Sequence, residues 1–230
     1  MDKLELENTI FEIAFERLKK IYGPFEKVVE QKDRPDAAIK LVNTHVIGIE
    51  ITSTDRKKDK QYFNDVKHSR NISNKQIDDY INEGIVHEEP LKLASIPFPH
   101  DYIFNGIKSK ADKFADYNVN GTYKEVILLV TSEFLTPKYE YFHDYIIPWT
   151  KYLLSSIDYP FRKVIFVSSE GPECIVIYDS KKKTKYKPSI DEGKEVGVTS
   201  LQSSFIPIGK GINIKNIFNQ EPIIKRKKKR

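Results

Sequence analysis

Cysteine is almost missing from these 230 residues: Cys174 stands alone. One thiol excludes an intramolecular disulfide framework and any cysteine-based zinc cluster. His45, His68, His87, His100 and His143 are scattered, without the i, i+4 pair of a zinc-binding helix. The sequence carries no Ser/His/Asp order and no nucleotide-binding glycine loop that would argue for another enzyme class. Long apolar runs are lacking too. The longest, Val126 to Val130, is far short of the about 20 residues of a membrane helix. The opening Met-Asp-Lys-Leu-Glu has no basic region followed by an apolar one, so no signal peptide is expected. Together these absences predict a soluble, cytoplasmic protein without a membrane partner.

Aromatic residues, by contrast, are plentiful, with 13 Tyr and 13 Phe. Such a chain can bury a sizeable core. No glycine/serine linker divides it, which predicts one domain over residues 1–224 with a less regular extension from about 186. The net charge of +5 is concentrated at the end, because Lys225 to Arg230 are all basic and the first 224 residues sum to −1. A tail of this kind either binds polyanions by charge or remains a solvated terminus. The run Lys181 to Lys183, with Lys185 and Lys187, reads as a solvated loop.

Residues 4–22 read as a helix. Leu4, Glu7, Phe11, Ala14, Leu18 and Ile21 recur on one face, and Gly23-Pro24 ends the pattern. Strands are expected at about 25–31, 36–42 and 46–52. A polar stretch over 53–73 follows, then helices at about 74–84 and 101–117. Residues 125–131 suit a buried central strand. A helix over 138–157 is restarted or kinked at Pro148. Residues 162–168 and 173–178 form a strand pair around Glu170-Gly171-Pro172. This order predicts an α/β fold, a mixed central sheet flanked by helices.

The stretch 36–52 carries the chemistry. Side chains alternate faces along a strand. Ala37, Ile39 and Leu41, then Ile47, Ile49 and Ile51, make one apolar face. Asp36, Ala38 and Lys40, then Gly48, Glu50 and Thr52, make the other. In an antiparallel hairpin, a two-residue turn at Asn43-Thr44 would put Asp36 and Glu50 on opposite faces. A three-residue turn over 43–45 puts them on one face, with Glu50 opposite Ala38 and diagonal to Asp36. The matching apolar sets favour the three-residue turn, since a one-residue slip flips every side chain. Two carboxylates on neighbouring strands can hold Mg²⁺, with Mn²⁺ as the alternative ion. Glu7 lies on the apolar face of the first helix. It is either a third metal ligand or a carboxylate at the positive end of the helix dipole.

A helix with an inward Glu7, then Pro35-Asp36 opening a strand, then Glu50-Ile51-Thr52 in the next strand, resembles the PD-(D/E)xK nuclease superfamily. The likeness spans roughly residues 7–131, and the expected order of elements is similar to that superfamily's restriction-endonuclease-like αβββαβ core. The resemblance implies that Asp36 and Glu50 hold Mg²⁺ for phosphodiester hydrolysis, with DNA as the partner. It also implies a lysine two residues after Glu50, where this chain has Thr52. Members of the superfamily sometimes carry that lysine on a neighbouring element. Lys110 and Lys113 are the candidates here; otherwise they are surface lysines with stems lying along apolar surface. Gln76 and Tyr80 resemble the Gln-x-x-x-Tyr element of the RecB-like branch, which implies contact with a nucleic-acid backbone. No Gly-x-x-His element precedes Glu7. The missing lysine at position 52 keeps a second reading open: a member of the same fold that binds nucleic acid or a protein without cutting. A third is an unrelated α/β domain whose Asp36 and Glu50 pair with basic residues.

Overall fold

The computed structural model describes residues 3–31, 34–64, 66–85, 92–118 and 122–202. The chain divides into two compact units, residues 1–55 with 98–196, and residues 56–97 with 197–230, where the sequence suggests one domain.

The first unit opens with α1, Lys3–Tyr22. Its end comes where Gly23 donates its N–H to the Lys19 carbonyl (2.9 Å) and Pro24 cannot continue the helix. A meander follows: β1 (Phe25–Lys27), β2 (Ala37–Leu41) and β3 (Val46–Ser53), each antiparallel to the next. Next in this unit comes α4 (Tyr102–Ile107), then two short 3-10 turns at Lys108–Lys110 and Phe114–Asn118. β5 (Glu125–Thr131) then runs parallel to β3. A helical stretch, β6 (Lys163–Val167) and β7 (Cys174–Asp179) complete a mixed six-stranded sheet in the order β1-β2-β3-β5-β6-β7.

Alternation decides what each face buries. Ile39, Ile47, Ile49, Ile51, Ile127, Leu129, Ile165 and Val167 pack against Phe11, Ala14 and Leu18 of α1. The other face carries Val126, Leu128, Val130 and Phe166, all buried. Phe142 packs on Phe166 there at a tilt, ring centres 4.8 Å apart. The helix expected over 138–157 is a widened π turn at Phe142–Ile146 followed by α5, Ile147–Ser156. Pro148 explains the change: it has no N–H to donate, and its ring crowds the carbonyl four residues back.

The helix expected over 101–117 is broken. Ile103 and Ile107 are fully buried, while Phe114 and Tyr117 pack on Phe161 at 5.0 and 5.8 Å. These anchors override the local periodicity. Gly106 sits where a Cβ would come within 2.7 Å of the Thr54 backbone, so α4 lies directly on the end of β3.

At the N-terminal ends of β5 and β6 a charged cluster closes the sheet. Arg162 and Lys163 (2.6 Å) both pair with Asp179, and Arg162 also meets Glu125 at 3.5 Å. Tyr22 donates its hydroxyl to Glu125 (2.6 Å). Burial works against the Asp179 carboxylate, but Lys163 and Arg162 hold it well below the ordinary carboxylate range.

The second unit contains α2 (Lys57–Phe63), α3 (Val66–Glu83) and an antiparallel pair, β4 (Lys92–Pro97) with β8 (Gly197–Gln202). Neither strand of that pair is expected from the sequence. Gly197-Val-Thr-Ser-Leu-Gln has little apolar content, and only its partner strand defines it. No helix among the described residues is long and apolar enough to cross a membrane. The basic run Lys225 to Arg230 lies outside the described residues.

Candidate metal and phosphate site

The hairpin that carries Asp36 and Glu50 closes one residue earlier than its pattern predicts. Leu41 donates its N–H to the His45 carbonyl (2.8 Å) and Thr44 to the Leu41 carbonyl (2.9 Å). The loop is therefore 42–44, and Thr44 takes the left-handed conformation, φ 67°. The loop is still three residues long, so both carboxylates share a face as expected. The register, however, pairs Ala37 with Ile49 and Ala38 with Gly48. The ladder stops at Ala37, and Asp36 lies just before it, in the bend that enters β2.

Several contacts hold Asp36 there. Its Oδ2 accepts the Ile51 N–H (2.8 Å). The preceding Pro35 rests against Gly48, where a Cβ would lie 2.9 Å from the proline ring and 3.2 Å from Tyr123. Tyr123 donates its hydroxyl to Gln31 (2.5 Å), and Gln31 donates its amide to the Pro35 carbonyl (2.6 Å). Gly48 thus makes room for the loop that delivers Asp36.

Glu50 lies inside the sheet, 5 % exposed. Lys110 donates to its Oε1 at 2.6 Å. Burial nonetheless pushes the Glu50 carboxyl up; Lys110 opposes this and the nearby Asp36 charge adds to it. Lys110 gets there because the 3-10 turn after α4 replaces a continuing helix.

Asp36, Glu50, Thr52 and Lys110 line one cleft of about 240 Å³, with Glu7 and Leu6 of α1 on its wall. Lys113 is exposed and is not part of that lining. Among the described residues, no three His, Cys, Asp or Glu side chains converge closely enough to hold one ion. Glu7 therefore stands at the cleft without completing a three-ligand set. Tyr80 is exposed on α3, at 63 %, and the Gln76 side chain falls outside the described residues.

No protein-family model, curated protein or solved structure matches this chain.

Beside the cleft, Asp55, two residues past β3, forms a second polar knot. It accepts hydrogen bonds from the hydroxyls of Tyr102 (2.8 Å) and Ser132, and from the Glu133 N–H (2.7 Å). Burial pushes its carboxyl up even so. Three donors from α4 and the end of β5 give Asp55 a stitching role. Asp55 escapes the sequence reading, where it looks like a polar loop residue.

The Asp36–Glu50 donor set suits a hard divalent cation. It is all oxygen and supplies two carboxylates, and its cleft has room for water. Mg²⁺ commonly takes one or two carboxylates and fills its other positions with water and phosphate oxygens.

Proposed function

We propose that this protein is a Mg²⁺-dependent nuclease hydrolysing phosphodiester bonds of DNA, a restriction-endonuclease-like member of the PD-(D/E)xK superfamily. One observation carries the reading: Lys110, from the crossover between β3 and β5, reaches the carboxylate of Glu50 at 2.6 Å, on the strand facing Asp36. That supplies the cation missing at position 52. The order of α1, a three-stranded meander, a helical crossover and parallel β5 adds support.

Asp36 and Glu50 would hold the ion. When bound, the ion polarises the phosphoryl group and lowers the pKa of a coordinated water. The residues of the chain do the rest. The Ile51 N–H keeps Asp36 oriented. The Thr52 hydroxyl orients a water. The Lys110 ammonium stabilises negative charge building on the phosphate, as preorganised cations do. Gln76, Tyr80 and the basic tail would add backbone contacts and salt-sensitive affinity.

A second reading, binding without cleavage, draws on a specific observation as well. Lys110 already neutralises Glu50, and no three ligands converge among the described residues.

The deciding experiment incubates the protein with single- and double-stranded DNA in Mg²⁺ or Mn²⁺, beside Asp36→Asn. Cleavage by the wild type that falls about a thousandfold in the variant is the expected result, since a metal ligand contributes several kcal/mol. DNA retained but never cut with either ion favours the binding reading.

A further inference from the structure

We infer that Tyr102 is a positioning residue: its hydrogen bond to Asp55 fixes how α4 sits on the end of β3, and so sets Lys110 on Glu50. The consequence for rate rests on the nuclease reading; the placement of Lys110 does not. α4 has only six residues, Tyr102–Ile107, far fewer than the about 12–15 at which an isolated helix becomes even marginally stable. Its placement is therefore set by what it touches. Tyr102, Gly106 and Lys110 recur every four residues, a spacing that keeps side chains on one side of a helix. All three meet the same stretch of chain. Tyr102 donates its hydroxyl to Asp55 (2.8 Å). Gly106 lies on Thr54, where a Cβ would come within 2.7 Å of the backbone. Lys110, in the 3-10 turn that follows, donates to Glu50 (2.6 Å). The contacts step back along the chain from Asp55 to Glu50.

These contacts are not equivalent. Ile103 and Ile107 are fully buried, but apolar attraction is non-directional. It constrains the roll of a short helix less than a hydrogen bond between two fixed groups does. Gly106 allows close approach, and a single close point is a pivot. The Tyr102 hydroxyl supplies direction because both ends of its bond are held. The tyrosine is 5 % exposed, and its ring packs edge to face with Phe98 at 4.8 Å. Asp55 also accepts the Glu133 N–H (2.7 Å) and the Ser132 hydroxyl, so it keeps its place when the tyrosine hydroxyl is removed. Lys110 ends a flexible four-carbon stem and depends on where its backbone is put.

The test is Tyr102→Phe in the full chain, alone and combined with Lys110→Ala. Tyr102→Met is the second variant in case the first does not fold. Two quantities are measured on folded protein. The first is single-turnover cleavage of DNA in Mg²⁺. The second is reductive methylation of Lys110 without DNA, read by mass spectrometry against exposed Lys113 as the internal reference. Tyr102→Phe should cut about 10-fold more slowly at unchanged DNA affinity, part of the about 100-fold that a 1 Å misplacement can cost. In the Lys110→Ala background it should cost nothing further, because the two residues act through one group. Methylation of Lys110, whose side chain is 22 % exposed in its ion pair, should speed up relative to Lys113. A purely structural tyrosine would slow cleavage equally in both backgrounds and leave the methylation ratio unchanged, which overturns the inference. If the wild type never cuts, the nuclease reading falls and the methylation ratio decides alone: a rise in Tyr102→Phe sustains the positioning role, and an unchanged ratio overturns it.

Discussion

Two charged clusters sit on the same six-stranded sheet, and they balance charge differently. At the N-terminal ends of β5 and β6, Asp179 lies between Arg162 and Lys163, and Glu125 takes Arg162 and Tyr22. Two carboxylates meet two cations, and Asp179 is held well below its ordinary range. Asp36 and Glu50 line one cleft, with the Lys110 ammonium on Glu50. Glu50 is pushed up, first by burial. The first cluster is satisfied by what the chain provides. The second sets a buried carboxylate, Glu50, beside Asp36 and the Lys110 ammonium in one cleft. The contrast separates a structural ion-pair network from the cleft proposed to take an added cation.

The comparison breaks most visibly at Asp179. Asp179→Ala should cost about 3 kcal/mol of stability, because it leaves largely buried Lys163 without its carboxylate and Arg162 with Glu125 alone. Cleavage by the folded variant should be unchanged. The sign with pH follows from the depressed carboxyl of Asp179. Its contribution is complete above the unfolded pKa of about 3.9 and is lost as pH falls through the lower folded value. Denaturant melts below about pH 4 should therefore show wild type losing stability more steeply than Asp179→Asn. Parallel curves would remove Asp179 from the account of stability.

Lys110 sharpens the other side. Lys110→Ala should lower single-turnover cleavage by about 100-fold, the usual effect of deleting one preorganised donor to transition-state charge. Lys113→Ala, an exposed residue outside the cleft lining, should cut at the wild-type rate. Equal rates for both variants would return Lys110 to the role of a counter-ion.

Much of this site is legible in the sequence because strands impose a strict two-residue period. Ile47, Ile49 and Ile51 alternate with Gly48, Glu50 and Thr52, and that alone sets Glu50 apart from the apolar residues that pack on α1. The exact register is not legible. It depends on Thr44 adopting a left-handed conformation, which closes the loop at Leu41–His45. The stretch 101–117 misleads because its apolar spacing suits one long helix. Packing of Phe114 and Tyr117 on Phe161 breaks it, and the break is what brings Lys110 to Glu50. Asp55 acquires meaning only from distant partners, Tyr102 and Ser132. β8 has almost no apolar signal of its own and takes its form from the ladder with β4.

The central claim is that the Asp36–Glu50 cleft has affinity for an added cation while the Asp179 cluster does not. Thermal unfolding with and without Mn²⁺ tests it directly, because a ligand that binds only the folded state stabilises it by about 2.7 kcal/mol at a hundred times its Kd. Mn²⁺ should raise the melting temperature of wild type and of Asp179→Asn by the same amount, and leave Asp36→Asn unmoved. A shift retained in Asp36→Asn, or absent from wild type, would contradict the account.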